Sequence, residues 1–124
     1  MADGGAVFEE MVKTAPADRR PLLTLLLQWA RDLEREKLVR LYSYRGKRQT
    51  SLLPRLQPEQ VGLVSIWRTG GMSLWRSVFE RHAPVFIERV EAITGVPMGS
   101  GTNAGTVTPE LLASLTDAYR EAAN

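Results

Sequence analysis

At Lys37–Leu38 the hydrophobic repeat changes period, and that change decides which folds are open to this chain. From Arg19 to about Lys37 the apolar residues recur at helical spacing. Leu22, Leu25, Leu26, Trp29 and Leu33 form one stripe, and Leu23, Leu27 and Ala30 widen it. Leu38 to Arg45 alternates instead. Val39, Leu41 and Ser43 fall on one face and Arg40, Tyr42 and Tyr44 on the other, the mark of a half-buried strand. A helical period returns at Ser77. Helix, then strands, then helix excludes an all-helical bundle and an all-β sandwich and leaves the α+β class.

The rest of the chain fills in that frame. Val7, Phe8, Met11 and Val12 predict a short helix over about 7–14, after a small, glycine-bearing start over 1–6 that is expected to be disordered. Asp18 is placed to cap the long helix, with Pro21 inside its first turn. The polar turn Gly46-Lys-Arg-Gln49 joins the first strand to Thr50–Leu56 as a β-hairpin, and Pro54 turns its side of that strand toward an edge or a bulge. Val61–Trp67 reads as a more central strand, and Met72–Trp75 as a short fourth strand or a helix start. Two helices follow, one with Val78, Phe79 and His82, the next with Val85, Phe86, Val90 and Ile93 inward. Residues 96–107, with Gly99, Gly101 and Gly105, lack periodicity and read as a flexible loop. Thr108-Pro-Glu110 then opens a helix that buries Leu111, Leu112, Leu115, Ala118 and Tyr119. The expected fold is a single α+β domain, an antiparallel three- to four-stranded meander with helices packed on one face, in the order α-α-β-β-β-(β)-α-α-α. Its expected core is Leu26, Trp29, Leu33, Val39, Leu41, Leu63 and Ile66.

Composition narrows the chemistry. The 124 residues contain no Cys and one His, which leaves no thiolate nucleophile, no zinc-thiolate site and little for a histidine-based centre. No catalytic residue, metal site or cofactor is predicted. The only acid–base neighbours are His82 with Glu80 and Glu88 with Glu91, all in positions where helix ends and exposed helix faces carry such residues. The glycine stretch Gly99–Gly105 has no lysine after it, and the next helix opens several residues later, so it is a connector and not a phosphate cradle. No apolar run approaches the roughly 20 residues of a membrane helix. Met1–Glu10 bears Asp3, Glu9 and Glu10 without a basic residue, so a cytoplasmic location without membrane contact is expected.

Charge is segregated. Residues 38–81 hold eight basic side chains (Arg40, Arg45, Lys47, Arg48, Arg55, Arg68, Arg76, Arg81) against Glu59 and Glu80, and the chain after them is acidic. Such asymmetry points to an anionic partner for the middle segment. Within it the hairpin interleaves rings and cations, a composition that can stack bases and meet phosphates. The predicted nucleic-acid-binding residues are Arg40, Tyr42, Tyr44, Arg45, Lys47, Arg48 and Arg55. The alternative is a protein-interaction or dimerisation domain using the same sheet, and an exposed Trp67 or Trp75 would mark such a partner surface. An enzyme with an unrecognised site is third. The stretch Leu33–Lys47, closing on Ser51-Leu-Leu, resembles the end of the recognition helix and the wing of winged-helix DNA-binding domains. It departs from that family between Asp18 and Lys37, where no turn breaks the helix into a helix-turn-helix.

Overall fold

The computed structural model describes residues 4–45 and 50–123, with Arg45 seen through its backbone alone. The elements are α1 (Gly4–Lys13), α2 (Arg20–Arg35), β1 (Arg40–Arg45), β2 (Thr50–Arg55), β3 (Val64–Trp67), β4 (Met72–Trp75), α3 (Arg76–His82), α4 (Phe86–Thr94), β5 (Ser100–Asn103) and α5 (Pro109–Ala123). Among the described residues the strands form one antiparallel sheet in sequence order, with the helices packed on one face. The fold is the expected α+β meander with a fifth strand. The whole predicted core is buried in one continuous cluster. Unbroken over 16 residues, α2 provides no helix-turn-helix, so the winged-helix likeness ends with the hairpin.

Several local expectations are corrected. The stretch 96–107 is not loop throughout: β5 pairs with β4, and Met98 and Ala104 on its flanks are buried. As an edge strand it is held by its backbone and needs no apolar alternation, and Gly101 sits at φ +70 where other residues are strained. The disorder expected over 1–6 gives way to helix from Gly4. A Cβ on Gly4 would collide with the backbone of Leu41 and Tyr42, so glycine is what lets α1 rest on β1. Asp18 does not cap α2. Arg19 occupies that position, with no side-chain cap, after a turn closed on the Pro16 carbonyl. Leu25 and Val85, assigned inward, are exposed, because α2 buries Leu23, Leu26, Leu27, Ala30 and Leu33, and Val85 precedes the first turn of α4. Thr108 does cap α5, its Oγ1 accepting from the Leu111 N–H at 3.1 Å.

One irregularity shapes the sheet. The Thr50 carbonyl accepts from Arg68 N–H, so Thr50, Leu52 and Pro54 turn their backbones toward β3. Leu52 pairs with Ile66, and continuing that register sets Pro54 opposite Val64. Pro54 has no N–H to give, so the ladder breaks there and resumes only as the isolated Leu56–Val61 bridge. The edge or bulge expected at Pro54 is instead a break inside the sheet, because β2 lies between β1 and β3. The Tyr119 hydroxyl of α5 fills the break. It donates to the Pro54 carbonyl at 2.7 Å and accepts from Leu63 N–H at 3.1 Å and Val64 N–H at 3.3 Å. One buried phenol thus satisfies three backbone groups that a sheet would otherwise pair.

Candidate functional site

Strand alternation puts Leu41, Leu52, Ile66, Val64, Met72 and Leu74 under the helices and turns their neighbours outward. The outward set is Arg40, Tyr42 and Tyr44 of β1, Ser51, Leu53 and Arg55 of β2, Ser65 and Trp67 of β3, Ser73 and Trp75 of β4, and Asn103 of β5. No carboxylate stands among these residues. In an antiparallel sheet one face commonly meets the core and the other meets solvent. A solvated face is ordinarily mixed in charge; this one is aromatic and cationic.

The two tryptophans lie across the strands. Trp67 Nε1–H donates to Ser73 Oγ at 2.8 Å and Trp75 Nε1–H to Ser65 Oγ at 2.9 Å, each reaching the neighbouring strand, while Ser65 and Ser73 stand directly opposite each other. The far edge of the Trp75 ring lies over Gly101, where a Cβ would come within 3.3 Å of it. Both tryptophans are half-buried and anchored across the strands by these bonds. Beside them the Arg55 guanidinium covers the Tyr42 ring at 5.3 Å from its centroid, and the Tyr42 hydroxyl accepts from Gln57 at 3.4 Å. Tyr44 stands 64% exposed. Arg40 faces Arg55 across the β1–β2 ladder, and among the described residues neither has a carboxylate partner. Like charges directly opposite one another destabilise a sheet.

Of the predicted binding residues, Arg40, Tyr42, Tyr44 and Arg55 are brought together on this face. Arg45 lies at the end of β1 opposite Thr50, and Lys47 and Arg48 fall outside the described residues. Sequence reasoning assigned Trp67 and Trp75 no place in the nucleic-acid site and passed over Ser65 and Ser73. The signal was present as a repeated Ser-x-Trp, Ser65-Ile-Trp67 and Ser73-Leu-Trp75, which puts serine and tryptophan on the same face of adjacent strands. Trp29 is different in kind: it is buried, with Nε1–H bonded to Thr116 and its ring edge-on to Tyr119.

Two of the acid–base neighbours, Glu80 and Glu91, are held in ion pairs. Arg76 pairs with Glu80 at 3.2 Å and Glu91 at 3.5 Å, and Glu91 also accepts from Met98 N–H at 2.6 Å, tying α3 and α4 to the approach of β5. Glu88 is exposed, and the His82 Nε2 atom is buried without a partner among the described residues. No group of His, Asp or Glu suited to a metal ion occurs among the described residues, and no helix is long and apolar enough to cross a membrane. No family model, curated protein or solved structure matches the chain.

Proposed function

We propose that the outer sheet face binds single-stranded nucleic acid without catalysis. One observation carries the reading: an outward sheet face that sets Tyr42, Tyr44, Trp67 and Trp75 beside Arg40 and Arg55, neither of which has a carboxylate partner among the described residues. Flat rings stack unpaired bases whatever their sequence, and nearby guanidinium groups meet the phosphates. The mutual repulsion of Arg40 and Arg55 is relieved when a phosphate comes between them. A duplex would gain few aromatic contacts here, because stacked bases hide their faces.

Anisotropy titrations with labelled mixed-sequence decamers test this, as DNA and as RNA, single-stranded and duplex. Single strands are expected to bind more tightly than duplex, and more weakly as salt rises from about 50 to about 200 mM. Tyr44→Ala is expected to cost about 1–3 kcal/mol of binding. Absence of single-strand binding at low salt, or equal affinity for duplex, overturns the reading. A chain that runs as a dimer on a sizing column and binds no oligonucleotide favours an interaction domain instead.

A further inference from the structure

The break in the sheet opens a cleft on the same face. Beyond Leu52 and Ile66 the β2–β3 ladder is interrupted until the isolated Leu56–Val61 bridge. A cleft of about 240 Å³ there is lined by Leu53 and Arg55 of β2 and by Ser65 and Trp75 of β3 and β4. Gly62 and Val78 also line it. It is smaller than the roughly 300–1,000 Å³ of drug-sized sites, a space for one planar ring system. Among the described residues no Asp or Glu lines it, and Arg55 is the one charged residue that does.

Gly62 is the second observation. Its N–H and carbonyl have no hydrogen-bond partner among the described residues, although it is half-buried. A main-chain donor and acceptor with no protein partner on one cleft-lining residue are binding capacity open to water or to a ligand. Glycine is required there, since a Cβ would come within 2.7 Å of the Pro54 carbonyl oxygen.

We infer that this cleft receives one nucleobase unstacked from the bound strand. Leu53, Trp75 and Val78 offer its faces an apolar lining, the Gly62 amide groups meet its polar edge, and Arg55 holds the adjoining phosphate. The inference rests on the single-strand reading above and adds base discrimination to it: the aromatic face is indifferent to base type, whereas a fixed donor and acceptor are not.

Hexanucleotides of each single base type, titrated into the full chain at about 50 mM salt, test it. One base type is expected to bind at least about fivefold more tightly than the weakest, as a matched donor–acceptor pair gives. The Gly62 amide resonance is expected to move with the preferred hexamer and to stay in place with a hexamer of abasic sugar-phosphates. Gly62→Ala is a poor probe because it strains the fold. Val78→Phe fills the mouth of the cleft from a half-buried position, and is expected to abolish the preference while retaining base-independent affinity. Equal affinity for all four hexamers, or a preference that survives Val78→Phe, overturns the cleft alone. Failure of every hexamer to bind overturns the single-strand reading and the cleft with it.

Discussion

Tyr119 holds together a sheet that Pro54 interrupts. Its hydroxyl touches three backbone groups, and burial pushes its ionisation well above the ordinary tyrosine range, offset in part by the bonds from Val64 and Leu63. Tyr119→Phe leaves those groups unpaired and is expected to cost about 2–4 kcal/mol in a denaturant titration at neutral pH. The pH dependence follows from the direction of the shift. With the folded group harder to ionise, the unfolded chain loses this proton first, so the stabilisation is complete below about pH 10 and falls by about 1.4 kcal/mol per unit above it. Melts between pH 9 and about 12 should show a shallower decline in Tyr119→Phe than in the parent. An identical decline would mean that the phenol does not titrate against the fold. The carboxyl of Glu36, by contrast, is held low by its hydrogen bond to Arg120 on the exposed surface, where screening leaves such pairs little weight.

Elements whose side chains alternate or recur were legible, and those held by the backbone were not. The β1–β2 hairpin, α2 and α5 announce themselves through periodic burial, and Leu26, in contact with no solvent, anchors the sequence-derived core. Leu26→Ala should cost about 2–5 kcal/mol; a thermal melt that hardly moves would detach α2 from the core. β5 was hidden because Ser-Gly-Thr-Asn shows no apolar pattern and its pairing is main-chain work. Amide exchange tests that assignment. Ala104 N–H, bonded to the Met72 carbonyl at 2.8 Å, should be protected, while the exposed Thr106 should exchange fast. Uniformly fast exchange over 100–104 would return the segment to a loop. Leu25 and Val85 illustrate another limit, since hydropathy alone gives each an inward place and the packing partners decide otherwise. The proposed binding face was half legible: β1 showed its rings and cations in sequence, but only the register brings Trp67 and Trp75 alongside them.

At the scale of the molecule, chemistry is sorted between the two faces of one sheet. Helices cover one, and the other presents rings and cations without a carboxylate. Neutralising two phosphates on a single strand contributes a salt slope of about 1.4, so Arg40→Gln with Arg55→Gln should flatten the slope by about that much. The three tryptophans report the face in use most directly. Trp67 and Trp75 carry their indole N–H groups on the outer face, whereas that of Trp29 is tied to Thr116 beneath the helices. In a titration with a mixed-sequence single-stranded decamer followed by nuclear magnetic resonance, the indole signals of Trp67 and Trp75 should shift with increasing ligand and that of Trp29 should stay in place. Movement of Trp29 with the other two stationary, or no movement of any indole at saturating decamer, would contradict the account.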